Sequence, residues 1–251
     1  MTFCRDGFIP TVTDFSLQDA FTPVLTALVA GLPSHFPDLI HCIYLYGSVA
    51  GGQATPGESD LDITLLLSRR ATDAELALIE QWREDFQQHQ TIVSKVDFDI
   101  GTLDEALNPA NRYSWGYWLK HHCRCLWGND VSNALPLFRP DRRIARAVNA
   151  DLRTVLEDYG VKISGGSRVA ELQRLKREAA RKLIRATNML RDPDSLFWPI
   201  ALDDYAEQLL ARHPDKATEI DYLLAHAINN ANDAEFTERM MDFLCWLEHQ
   251  Q

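Results

Sequence analysis

Several things are scarce in this 251-residue chain. No apolar run approaches the roughly 20 residues a membrane-spanning helix needs, which argues against a membrane protein. The opening "MTFCRDGFIP" lacks the positive-then-apolar layout of a secretory signal. The five cysteines, Cys4, Cys42, Cys123, Cys125 and Cys245, are odd in number and scattered. That pattern excludes a disulfide framework and fits a reducing, cytoplasmic setting. "HHCRC" (His121–Cys125) has no second ligand pair nearby, and Cys-x-Cys is not the usual zinc hairpin. Positive charge is also short. Against 36 acidic residues stand 25 basic ones, a net charge of −11. Such a surface repels polyanions, so extended nucleic-acid binding is disfavoured and a cationic partner is weakly favoured. No repeat or low-complexity segment occurs.

What is present divides into two parts. Ser16–Asp19 reads as a capping box opening a helix that ends near Gly31–Pro33. Ile40–Gly47 and Leu61–Leu67 read as strands, and Ser94–Ile100 as a third. A helix capped at Thr72 runs to about His89, and Asp104 and Glu105 begin another. The aromatic stretch Asn111–Gly128 reads as helical. After Pro136 and Pro140 every periodic segment is helix: 141–159, 168–190, 201–212, 216–230 and 234–249. The expected fold is therefore α/β (α+β): a small mixed-sheet domain over 1–138, then an all-helical bundle over 139–251.

The chemistry concentrates in "YGSVAGGQATPGESDLDI" (Tyr46–Ile63). Asp60 and Asp62 sit two residues apart at the start of a strand, so both project to one face. Two adjacent carboxylates raise each other's pKa unless a cation lies between them. Mg²⁺ is the natural cation, because it takes hard oxygen ligands from one or two carboxylates plus substrate phosphates. Gly47 lets a phosphate approach the backbone, and Ser48 with the N–H groups that follow can cradle phosphate oxygens. "KVDFD" then offers Asp97 and Asp99 on one face of a later strand. If that strand pairs beside Leu61–Leu67, one of them joins the site as ligand or general base. Asp97 is favoured, with Asp99 the alternative. Two metals held this way could clamp attacking and leaving oxygens.

The order Gly-Ser, an eleven-residue gap, Asp-x-Asp and a later strand acid resembles the polymerase-β-like nucleotidyltransferase superfamily. Asp60, Asp62 and Asp97 match its carboxylate triad, and Gly47 and Ser48 its phosphate-binding turn. The two-part layout is similar to that of the aminoglycoside adenylyltransferases, and Lys182–Asp215 resembles segments of their helical half. The resemblance implies transfer of a nucleoside monophosphate from ATP, or another NTP, to a hydroxyl. Pyrophosphate leaves, and Mg²⁺ (two ions, with Mn²⁺ an alternative) is the cofactor. The expected acceptor is a small, cationic molecule. Nucleotide transfer to tRNA or protein, or a non-catalytic nucleotide-binding role, are the rivals.

Other segments carry two readings each. "RLKREAARKLIR" (Arg174–Arg185) holds six basic residues against one acid. It is either a solvated helix face or a clamp in which Lys176, Arg177, Lys182 and Arg185 steady the triphosphate and departing pyrophosphate. Ser59 is placed with the nucleotide or, with Glu58, as a cap of the loop. Tyr113, Trp115, Tyr117 and Trp118 read as core before ligand platform. His121 and His122 read as structural or surface histidines.

Overall fold

The computed structural model of the chain describes residues 5–166, 168–229 and 233–250. The chain divides into two compact units, one spanning Phe8–Phe138 and the other running from Arg139 onward. The sequence assigned 1–138 to the first domain. Of the described residues, the structure groups Arg5–Gly7 with the second unit.

The first unit holds helices α1 (Thr22–His35), α2 (Gly47–Ala50), α3 (Asp73–Gln88), α4 (Leu103–Leu107) and α5 (Tyr117–His121). Its strands are β1 (Ile40–Tyr46), β2 (Leu61–Leu67), β3 (Val96–Thr102) and β4 (Arg124–Gly128). They form one mixed sheet in the order β3-β2-β1-β4. β1 runs antiparallel to β2 and to β4, while β2 and β3 are parallel. A parallel pair cannot be joined by a hairpin, so α3 serves as the crossover between β2 and β3.

The period of two along each strand sorts the side chains. Ile43, Leu45, Ile63, Leu65 and Val96 enter one core with Val24, Leu28 and Leu32 of α1 and Ile79 of α3. Each side chain so buried contributes about 1.5–3 kcal/mol relative to exposure. The opposite face carries Cys42, Tyr44 and Leu66, packed with Leu119 and Cys123 and flanked by Tyr46, Trp115 and Trp118. Asp62, Asp97 and Asp99 belong to this second face by the same alternation.

Three expectations need correction. Ser16 does not cap the first helix. Gln18 instead clamps the Ala54 backbone through both amide atoms (3.0 and 3.1 Å), and the α-helix starts at Thr22. That helix also runs through Gly31 and Pro33 to His35, because Leu32 is fully buried and anchors the last turn. The aromatic stretch Asn111–Gly128 is helical only to His121. Its end is β4, an edge strand paired to β1 through Cys42–Gly128, Ile43–Trp127 and Tyr44–Cys125. By contrast, Thr72 accepts from the Glu75 N–H and Glu75 bonds back to the Thr72 N–H, the expected capping box of α3.

The second unit consists of α6 (Arg142–Ala147), α7 (Leu152–Ser164), α8 (Val169–Ala186), α9 (Leu202–Leu210), α10 (Ala217–Asn229) and α11 (Phe236–His249). The helix expected over 141–159 is two helices, α6 and α7. α8 is the hub and packs against α7, α9, α10 and α11. Its buried residues Leu175, Ala179, Ala180, Leu183 and Ile184 recur at helical spacing, which leaves the basic residues other than the buried Lys176 to the remaining faces. Among the described residues no helix is long and apolar enough to cross a membrane.

Candidate active site

Three strands place three side chains in one row. In the antiparallel pair Tyr46 stands opposite Asp62, and in the parallel pair Asp62 stands opposite Asp97. Thr64 stands opposite Asp99 one step further along the same face. Asp60 lies two residues before Asp62, just ahead of β2, where the Ser94 hydroxyl bonds its carboxylate at 2.5 Å. The register thus brings together Asp60, Asp62 and Asp97, with Asp99 beside them.

Gly47 closes the row at the end of β1. Its φ is +72°, a region that L side chains rarely adopt. A Cβ there would lie 2.0 Å from Oδ2 of Asp62. Only glycine admits both the turn and the carboxylate. Ser48 follows in the first turn of α2, and its carbonyl accepts from the Gln53 N–H. Ser59 sits in the loop between α2 and β2, where its hydroxyl accepts from the Thr55 N–H at 2.9 Å. That bond closes the loop, so the capping role is the one its geometry serves.

The electrostatics follow from the crowding. Burial pushes the Asp62 carboxyl up to about 7, and the charges of Asp60, Asp97 and Asp99 add to the effect, with Lys95 offsetting part of it. Tyr46 is pushed above the usual phenol range, first by burial and then by Asp99, to which its hydroxyl donates. Asp97 accepts an ion pair from Lys95 at 2.5 Å. Behind the row, Trp118 Nε1–H donates to the Thr64 hydroxyl and its ring meets Tyr46 edge-on at 4.8 Å. Trp115 lies against Gly101 of β3, where a Cβ would come within 2.4 Å of the ring. Trp115 and Trp118 thus wall the carboxylates as packed side chains. Tyr117 is buried, as is His121, which bonds the Pro10 carbonyl and accepts from the Phe138 N–H.

The donor set suits a hard divalent cation. It is all oxygen, and Asp62, raised first by burial and then by the neighbouring carboxylates, is a group whose charge such an ion would stabilise. Among the described residues, no three His, Cys, Asp or Glu side chains gather closely enough to hold a metal.

Asp62 also makes a stability prediction. Its pKa in the folded protein is about 7 against an ordinary 3.8. Between those values the folded chain holds a proton that the unfolded chain has lost. The metal-free protein therefore loses stability as pH rises from about 4 to about 7. A displacement of this size is worth at most about 4 kcal/mol, and hydration of the partly open site trims it to about 1–2 kcal/mol. Asp62→Asn should flatten this dependence and exceed the wild type in stability at pH 8. Urea melts in EDTA at pH 5 and pH 8 measure it, and the same pH dependence in both proteins would reject it.

The basic residues singled out in the sequence belong to α8 of the second unit. Lys176 is only 5% exposed, donates to the Asp233 carbonyl at 2.5 Å and lies over the Phe236 ring. Its ammonium is engaged within its own unit, which corrects its assignment to the phosphates. Lys182 pairs with Asp151 at 3.0 Å, and Arg174 with Glu178. Arg177, Arg181 and Arg185 form a stripe at i, i+4 and i+8. The Arg181 guanidinium is lowered in pKa by burial and by its two neighbours on the stripe. Sequence reading left out Arg181, although its spacing from Arg177 and Arg185 was visible. It also passed over Tyr46 and Lys95, for which strand register was the missing information.

Residues 29–110 match the family model described as "Nucleotidyltransferase domain". No curated protein matches the sequence. Among solved structures, the crystal structure of spectinomycin adenyltransferase AAD(9) from Enterococcus faecialis with ATP and spectinomycin aligns with a TM-score of 0.56. It shares 13% identity, and the alignment covers 91% of this chain and 98% of that one, a likeness of fold. Residues 29–110 are thus similar to the nucleotidyltransferase domain family, and the fold of the chain resembles that of a spectinomycin adenyltransferase.

Proposed function

We propose that the protein transfers AMP from ATP, or the corresponding monophosphate from another NTP, to a hydroxyl of a small cationic acceptor. The observation that carries this reading is the row Gly47, Asp62, Asp97. A glycine turn, a carboxylate pair and a third acid on an adjoining strand share one face of the sheet. Asp60 and Asp62 would hold Mg²⁺, which when bound neutralises the triphosphate. The Gly47–Ser48 turn offers N–H groups and a hydroxyl to the phosphate oxygens. Asp97 takes the proton as the acceptor oxygen bonds to the α-phosphorus. The bond from that phosphorus to the bridging oxygen breaks, and pyrophosphate leaves with the electron pair.

The acceptor's charge is argued from the whole field. With a net charge of −11 and basic residues bunched on α8, the surface attracts polycations through an interaction that salt weakens. The structural neighbour was crystallised with ATP and spectinomycin, which supports a small acceptor.

Pyrophosphate release with Mg²⁺-ATP tests this against aminoglycosides, spectinomycin, neutral sugars and bulk tRNA. Release is expected with an aminated, hydroxylated acceptor, and expected to fall as salt rises. Release with tRNA alone, or with a neutral sugar alone, would overturn the acceptor class. Equal ATP affinity in EDTA and in Mg²⁺ would overturn the role of Asp60 and Asp62.

A further inference from the structure

One cation already sits among the carboxylates. Lys95 Nζ lies 2.5 Å from Oδ1 of Asp97, reaching it from the residue just ahead of β3. The backbone beneath it is fixed, because the Lys95 carbonyl accepts from the Leu61 N–H at 2.8 Å, next to the start of β2. Asp62 stands opposite Asp97, so the ammonium sits at the edge of the pair that would face a metal-bound triphosphate.

Stability does not explain this contact. The lysine side chain is 45% exposed and the aspartate 37%. An ion pair that open is worth about 0–1 kcal/mol. It contributes little to the fold and costs little to break, while Asp97 cannot serve a metal or an acceptor hydroxyl with that oxygen until it breaks.

The geometry points to Lys95 as a resident counter-ion. It occupies Asp97 in the nucleotide-free protein and is displaced when the divalent cation arrives with its nucleotide. Binding is then an exchange of cations at a carboxylate face, and Lys95 sets the affinity of the empty site for metal. It is a positioning residue acting through Asp97. The inference rests on the metal reading of Asp60 and Asp62 given above.

Calorimetric titration of the full-length protein with Mn²⁺ alone, without nucleotide, tests it. Lys95→Met keeps most of the apolar stem and removes the charge. It should bind Mn²⁺ roughly 10-fold more tightly, the scale of one like charge removed a few ångströms away in a hydrated setting. Lys95→Arg should bind Mn²⁺ as the wild type does. In EDTA, Lys95→Met should melt close to the wild type, since an ion pair this exposed contributes only about 0–1 kcal/mol. Unchanged or weaker Mn²⁺ binding by Lys95→Met, with wild-type binding that depends on Asp62, would overturn the Lys95 inference alone. Mn²⁺ binding that survives Asp62→Asn, or is absent from every variant, would overturn the metal reading and this inference with it.

Discussion

Asp97→Asn is expected to lower turnover by about 10²- to 10⁴-fold, the range of a lost general acid–base group, and to leave ATP binding close to wild type. Asparagine keeps the size of the side chain but cannot take the proton of an attacking hydroxyl. Asp97 is singled out over Asp99 by position. Asp97 stands opposite Asp62, whereas Asp99 stands opposite Thr64 and accepts the Tyr46 hydroxyl. Single-turnover kinetics and ATP calorimetry on both variants separate the two acids. A fully active Asp97→Asn beside an inactive Asp99→Asn would reverse the assignment.

Gly47→Ala is the second large effect. The added methyl carbon would lie 2.0 Å from the Asp62 carboxylate, at a residue whose φ is +72°. The left-handed backbone alone costs about 1–2 kcal/mol. The clash must move either the turn or the carboxylate, and a displacement near 1 Å at a reacting centre costs about 10²-fold in rate. Turnover and ATP binding should fall together. Gly51→Ala is the control, since its Cβ would find nothing nearer than 3.6 Å and its φ is −82°. Wild-type turnover in Gly47→Ala, or equal damage in Gly51→Ala, would remove the reason given for glycine at 47.

The site was legible where local chemistry decided it. Gly47-Ser48 and Asp60-Leu-Asp62 carry their meaning in spacing and in a period of two, both visible in a linear string. The strands around them were legible too, because Ile40–Tyr46 and Leu61–Leu67 are short, apolar and β-branched. What lay hidden depended on partners distant in sequence. Arg124–Gly128 has five residues and follows a helix, so no periodicity marks it, and only pairing with β1 makes it a strand. Lys95 carried no signal in the linear string, and only the structure shows its ammonium on Asp97, which the parallel register sets opposite Asp62. Lys176 read as either a solvated charge or a phosphate clamp on a basic helix. Its burial depends on Asp233 and Phe236, more than fifty residues away. Charge composition cannot foresee a cation enclosed by its own unit.

The parallel pairing of β2 with β3 has a kinetic side. β1 and β2 meet through a short antiparallel connection, and with them the Gly47 turn meets Asp62. Asp97 joins only when the whole of α3 has been laid across the sheet, so its contact with Asp62 spans thirty-five residues and carries the greater loop-closure cost. β3 is also an outermost strand, hydrogen-bonded on one side only. The last acid of the set is therefore held by the longest-range pairing in the row and at the sheet's open margin. Amide hydrogen exchange should rank these strands accordingly, with the backbone around Asp97 exchanging sooner than that around Asp62, which lies between two neighbours.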